Sequence, residues 1–112
     1  MAFKVAISKS VLQEYDDAMR YIATEYGSPR VMKNLASEYD AAVAALEINP
    51  LAYPIDWGVS ADVAHEIRKI RVKNYLMRYE VDEESRMVKI YSLLHERQDA
   101  SRRFPVDFEA EF

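Results

Sequence analysis

The segment IRKIRVKNYLMRYEVDEESRMVKIYSLLHERQD, residues 67 to 99, decides the fold of this chain. It holds three runs rich in β-branched and aromatic residues, at about 65–72, 75–81 and 87–94. The polar stretches KN (73–74) and DEES (82–85) separate these runs and are typical of turns. Because the connections are so short, the segment predicts an antiparallel meander of three strands.

The residues ahead of this meander predict one strand and two helices. FKVAI (3–7) is a short strand, and a helix follows from Ser8 or Ser10, where Ser10 and Gln13 have capping-box spacing. One apolar stripe predicts the buried face of this first helix: Leu12, Tyr15, Met19, Ile22 and Tyr26. The break YGSPR (26–30) offers a glycine for a left-handed helix end and a Ser-Pro helix start.

A second helix follows this break and ends before Pro50, because a residue ahead of proline is pushed out of the helical region. Its buried stripe is Val31, Leu35, Tyr39, Ala42 and Leu46. NPLAYPIDWGVSAD (49–62) is predicted as a loop held down by Tyr53, Ile55 and Trp57. The fold class is therefore α+β in the order β-α-α-β-β-β, with a two-helix hairpin packed on a small, mostly antiparallel sheet. We expect one domain over 1–103 and an acidic tail over 104–112.

Composition removes several function classes. Without cysteine among 112 residues there is no thiolate nucleophile, and two glycines leave no phosphate-binding loop. His65 and His95 lack zinc-ligand spacing, so neither a metal nor another cofactor is expected. No apolar run approaches a membrane span or a signal peptide, and we expect a cytoplasmic protein.

Charge is unevenly distributed along the chain. The net charge is -4, yet residues 65–103 carry ten basic and seven acidic side chains. Such a basic meander attracts phosphates or an acidic peptide. The ordinary alternative is a solvated face, on which these cations pair with Glu66, Glu80, Asp82 and Glu84.

The order of these elements, together with the 67–84 pattern IRKIRVKNYLMRYEVDEE and the ending LLHERQD, resembles the RelE/ParE superfamily of toxins from type II toxin-antitoxin modules. The resemblance extends from about residue 5 to residue 99. It implies a toxin of an addiction or plasmid-stabilisation module, neutralised by a cognate antitoxin protein. Family members either cleave mRNA, many on the ribosome, or bind DNA gyrase, and a fold alone does not choose between these activities.

The resemblance assigns candidate residues to both activities. A ribonuclease without metal would use His95 as acid or base, with Arg71, Arg78 and Arg97 as phosphate clamps. However, Leu76 and Glu96 occupy two positions where ribonuclease members place arginine, and DASRRF (99–104) has no tyrosine. The alternative set binds the target or the antitoxin: Arg68, Lys69, Arg71, Lys73, Lys89, Arg97, Arg102 and Arg103.

We therefore favour a toxin that inhibits growth by binding an essential target such as DNA gyrase. A ribosome-associated mRNA endoribonuclease is the alternative, and a non-toxic relative that keeps only antitoxin binding is the third reading. His95 can also be an ordinary strand-end imidazole. The tail PVDFEAEF (105–112) alternates apolar and acidic residues, so it could lie along the basic meander or pair with a second copy as a homodimer. A frayed terminus is the simpler alternative.

Overall fold

A four-stranded sheet carries a two-helix hairpin on one of its faces. The computed structural model describes residues 2–60, 66–97 and 112. Its strands are β1 (Lys4–Ile7), β2 (Arg68–Val72), β3 (Tyr75–Asp82) and β4 (Met87–His95). Its helices are α1 (Lys9–Glu25), α2 (Pro29–Ile48) and the single turn α3 (Trp57–Ser60), and a 3-10 turn covers Pro50–Ala52. No helix of the described part is both long and apolar enough to cross a membrane.

The strands lie in the order β1-β4-β3-β2. β1 runs parallel to β4, whereas β2, β3 and β4 form an antiparallel meander. Lys73, in the two-residue connection between β2 and β3, has a φ of 56°, as expected for a tight hairpin turn. The predicted fold class, element order and mostly antiparallel sheet are therefore confirmed.

Both long helices begin at a serine. Ser8 caps α1 and Ser28 caps α2, each accepting a hydrogen bond from the backbone N–H three residues later. Gly27 between them has a φ of 56°, so the predicted break is confirmed. The Ser10–Gln13 capping box is wrong: Ser10 lies inside α1, and the side-chain amide of Gln13 donates to Asp17 at 2.8 Å.

The predicted buried face of α1 is partly wrong. Leu12 and Tyr26 are 60% and 64% exposed, whereas Val11, Ala18 and Ile22 are buried. The helix is rotated so that the small side chain of Ala18 faces the sheet. The spacing of large apolar residues predicted that Leu12 and Tyr26 are buried. Such spacing does not show how closely the helix approaches the sheet, and this distance decides which side chains are buried.

The inner face of the sheet, defined as the face that packs on α1 and α2, holds the main core. Alternate strand residues point to this face. Val5 and Ile7 of β1 belong to this core, and so do all five residues of the predicted α2 stripe, as expected. The buried strand residues on the inner face are Ile70, Val72, Met77, Tyr79, Val88, Ile90 and Leu93.

The outer face, opposite the helices, carries a second cluster formed by Val59, Ile67, Tyr91 and Leu94. Val59 comes from α3, in the segment that was predicted as a loop. Trp57, predicted to hold this loop down, is 72% exposed. Asp56 and Val59 are buried instead, because the single turn of α3 directs Trp57 to the opposite side from Val59.

The Ser8 cap and Glu14 of α1 bond to the edge of β4 beyond the end of β1. β1 pairs with β4 only as far as Ile90. Beyond that point, the hydroxyl of Ser8 donates to the carbonyl of Tyr91 at 3.1 Å, and Glu14 accepts from the N–H of Leu93 at 3.0 Å. These bonds satisfy backbone groups that would otherwise be left open at a strand edge, and they fix α1 against β4.

Candidate partner-binding site

A cavity of about 530 Å³ lies between the helical hairpin and the end of the sheet at which β4 terminates. Ala18 and Ile22 of α1, Leu35 of α2 and Leu93 of β4 contribute buried apolar surface to it. A concave apolar site with a few polar groups at its margin is the usual form of a binding pocket. This site can therefore receive an apolar side chain from a partner.

Aromatic rings line much of this cavity. Tyr21 comes from α1 and Tyr26 from the C-terminal cap of this helix, while Tyr75 starts β3 and His95 ends β4. The rings of Tyr75 and His95 meet edge to face, with centroids 5.5 Å apart. Tyr21 and Tyr26 are 56% and 64% exposed, and their centroids are 6.5 Å apart. Exposed tyrosines beside an apolar cavity are typical of protein interfaces.

Charged groups of both signs lie at this cavity. Glu14 and Asp17 come from α1, whereas Lys73 and Arg97 come from the sheet end. The N–H of Arg97 donates to Nδ1 of His95 at 3.3 Å, so the backbone of Arg97 contacts the His95 imidazole. The cavity is thus not a purely cationic phosphate site.

Of the four candidate ribonuclease residues, His95 and Arg97 lie together at this cavity. Arg71 does not line it and pairs with Glu96, with Nη1 and Oε2 2.8 Å apart. The hydrogen bond and charge of Arg71 lower the pKa of Glu96 below its usual value. Glu96 therefore holds the Arg71 guanidinium as an ion pair.

Arg78 lies on the outer face, away from His95. It alternates with the inner-face residues Met77 and Tyr79 along β3. Its Nε donates to Oδ2 of Asp56 at 2.8 Å, and both side chains are about nine-tenths buried. Burial raises the pKa of Asp56, but the hydrogen bond and charge of Arg78 outweigh burial and hold this pKa below its usual value.

The candidate target- or antitoxin-binding cations are spread over the sheet and its margins. Lys69 and Arg71 line a second cavity of about 510 Å³ between β2 and α2. Arg68 donates to the carbonyl of Tyr53 at 2.7 Å and pairs with Glu66. Lys89 lies opposite Glu80 in the register of β3 and β4. Arg102 and Arg103 lie outside the described residues.

Several residues of these sites were not singled out from the sequence. Tyr21, Glu14 and Asp17 lie outside the predicted apolar stripe of α1, and Asp56 lies in the segment predicted as a loop. A spacing signal existed for Asp56, which precedes Val59 by three positions and accepts its N–H as a helix cap does. Within residues 2–60, 66–97 and 112, no three His, Asp or Glu side chains are grouped to hold a metal ion.

Comparisons with known proteins agree with this architecture. The family model described as "ParE toxin of type II toxin-antitoxin system, parDE" matches residues 5–100. Among solved structures, the chain resembles one in the toxin-antitoxin complex RelBE2 from Mycobacterium tuberculosis. That match has a TM-score of 0.56 and 16% identity, and it covers 86% of this chain and 100% of that one. No curated protein sequence matches significantly. Because the family model spans most of its length, the chain belongs to the ParE toxins of type II toxin-antitoxin systems.

Proposed function

We propose that this toxin acts in the cytoplasm by binding an essential target such as DNA gyrase, and that a cognate antitoxin neutralises it. The observation that carries the proposal is that two of the candidate phosphate-binding arginines each form an ion pair with a carboxylate. Arg71 is engaged by Glu96, and Arg78 is buried against Asp56 on the other face of the sheet. A metal-independent ribonuclease needs such cations to converge on one phosphate.

A smaller group of three residues supports the ribonuclease alternative. His95, Arg97 and Lys73 lie at the same cavity, where an imidazole and two cations could contact RNA. However, this cavity also contains Glu14 and Asp17, whose carboxylates oppose phosphate binding. The balance of charges favours a protein partner at this site.

The antitoxin is proposed to insert an apolar side chain into the 530 Å³ cavity. The RelBE2 structure is a toxin-antitoxin complex, and one of its chains has a fold similar to that of this chain. Tyr21 of α1 and Tyr26 at the C-terminal end of this helix supply exposed contact area beside the cavity. A partner segment could therefore cover these tyrosines while its side chain enters the cavity.

Induced expression in a bacterial host tests the toxin proposal. Growth arrest with a DNA-damage response and inhibition of purified gyrase by the pure protein would support it. Arrest with messenger cleavage but active gyrase would establish the ribonuclease alternative. Normal growth with retained antitoxin binding would identify a non-toxic relative. Coexpression of a candidate antitoxin is the control, because a cognate antitoxin should restore growth.

His95→Ala combined with Arg97→Ala should leave growth arrest within about twofold of wild type if toxicity depends on binding elsewhere on the chain. Both residues lie at the end of β4, and Arg97 is exposed, so little stability is lost. The measurement is the colony count after induction at matched protein levels. A loss of toxicity together with a loss of messenger cleavage would contradict the binding proposal.

Tyr26→Ala should weaken antitoxin binding about tenfold or more, and Tyr21→Ala should have a similar effect. Exposed tyrosines at the centre of an interface often contribute more than 1 kcal/mol to binding. Isothermal titration with the purified antitoxin measures the change. Ile48→Ala is the matched control, because Ile48 is 76% exposed at the far end of α2. Unchanged affinity in both tyrosine variants would place the antitoxin elsewhere.

A further inference from the structure

Phe112 packs on the outer face of the sheet. Its ring meets Tyr91 edge to face, with centroids 5.3 Å apart and planes at 78°. The same ring packs against the apolar cluster that includes Val59, Ile67 and Leu94. Phe112 follows the end of β4 by seventeen positions, yet it contacts the middle of that strand. Phe112 therefore contacts the sheet of its own chain.

A β-bulge presents Tyr91 to this anchor. Tyr79 pairs with Ile90 and Arg78 pairs with Ser92, so the register shifts by one residue at Tyr91. Its ring packs in the outer cluster, and its hydroxyl donates to Glu80 at 3.2 Å. A bulge re-aims one side chain without ending the sheet. Here the bulge places an aromatic ring on the outer face.

The outer face also has polar groups that the described part of the chain does not satisfy. Nη1 of Arg78 and Oγ of Ser92 are buried and have no hydrogen-bond partner among the described residues. These two residues are direct cross-strand neighbours. A buried guanidinium N–H without an acceptor is unfavourable, so a segment that supplies a carboxylate would be stabilised there.

Charge favours an acidic occupant of this face. Lys69 and Lys89 are outer-face residues by the strand alternation, on either side of Arg78 in the sheet. The face also carries acids, since Asp56 pairs with Arg78 and Glu80 accepts from Tyr91. The sequence before Phe112, in contrast, has three acids and no base over 104–112, and its apolar residues alternate with these acids. Such a segment supplies a carboxylate within one or two residues of each of these alternating apolar side chains.

We propose that the outer face is a docking surface for an extended apolar-acidic peptide, and that the occupant in this chain is its own C-terminal segment, anchored by Phe112. A covalently attached segment has an effective concentration in the millimolar range for a flexible connection. It therefore competes with any partner peptide of the same chemistry for this face. Binding of such a peptide to the isolated chain does not require the chain to be toxic.

A peptide titration into the full-length chain tests this assignment. The probe is the synthetic nonapeptide FPVDFEAEF, with the sequence of residues 104–112, and NMR shifts of Leu94 and Tyr91 report its binding. The Phe112→Ala chain, whose own anchor is removed, should bind the peptide at least about tenfold more tightly than wild type. Leu12→Ala is the matched control, since Leu12 is exposed on α1, and it should behave as wild type.

Three results would overturn the proposal. The first is equal affinity of wild type and Phe112→Ala for the peptide, and the second is no binding to either chain. The third is equal binding of a control peptide in which Asn and Gln replace the three acids, because this result would exclude a requirement for acidic groups. We expect this control peptide to bind at least about fivefold more weakly. A Phe112→Ala chain that has lost the native spectrum would be replaced by Phe112→Leu, with the same expected direction.

Discussion

Arg78→Ala should lower the free energy of unfolding by about 3–5 kcal/mol, which is a large part of the total for a domain of this size. The Arg78 side chain is 9% exposed and that of Asp56 is 11% exposed, with 2.8 Å between Nε and Oδ2. Removing the guanidinium leaves a buried carboxylate without its counter-charge. Denaturant unfolding followed by circular dichroism measures the loss.

The Asp16–Arg20 pair provides the matched control. Its atoms are 2.7 Å apart, but its side chains are 56% and 71% exposed. Arg20→Ala should therefore cost at most about 0.5 kcal/mol, because water screens an exposed helical pair. Replacing both buried partners, with Asp56→Leu and Arg78→Met, should recover much of the stability lost in Arg78→Ala. Equal losses for Arg20→Ala and Arg78→Ala would contradict the role given to burial.

The same ion pair makes stability depend on pH. The pKa of Asp56 is lowered in the folded state, against about 3.9 in an unfolded chain. Its contribution is therefore fully present above about pH 4 to 5 and is lost as the pH falls through the lower folded value. Asp56→Asn should be less stable than wild type at pH 7 and should show a smaller further loss between pH 5 and pH 2.

Tyr79→Ala should lower the free energy of unfolding by about 3–5 kcal/mol, through loss of a buried ring and the cavity left behind. Tyr79 has no exposed surface, and it is the largest of the fully buried side chains. Its hydroxyl donates to the carbonyl of Pro50 at 2.6 Å, which fastens the turn after α2 to the sheet. Thermal and denaturant unfolding measure this loss.

Tyr79→Phe separates the hydroxyl from the ring. It should cost about 1–2 kcal/mol, since the ring still fills the core while the Pro50 carbonyl loses its donor. Burial raises the pKa of Tyr79 well above its ordinary value of 10.0. Ionisation therefore removes stability as the pH rises above about 10, and Tyr79→Phe should weaken that dependence. A cost for Tyr79→Phe as large as that for Tyr79→Ala would show that the ring contributes little.

The meander and the helical hairpin were predictable because local chemistry specifies them. Turn residues, a Gly-Ser-Pro break and a 3.6-residue apolar period act over a few positions, and all of them agree with the observed elements. The rotation of α1 was not predictable in this way. Leu12 and Tyr26 satisfy the period, yet the small side chain of Ala18 faces the sheet instead.

The candidate site depended even more on contacts between distant residues. Arg78 and Arg71 read as two similar strand cations, but one is buried against Asp56 and the other is exposed beside Glu96. These partners lie 22 and 25 positions away in the chain. Sequence spacing does not reveal such pairs. They form only in the folded chain, where the loop after α2 brings Asp56 to Arg78 and the residue after β4, Glu96, comes close to Arg71.

The sequence by itself therefore determined the order of the strands and helices and the resemblance to RelE/ParE toxins, since both are encoded in short patterns along the chain. Only the tertiary structure decided which cations meet His95 and which are held by carboxylates. It also decided that a bulged Tyr91 receives Phe112 on the outer face. The physical reason is that charge pairing and burial depend on distances across the folded chain, whereas secondary structure depends on neighbours in sequence.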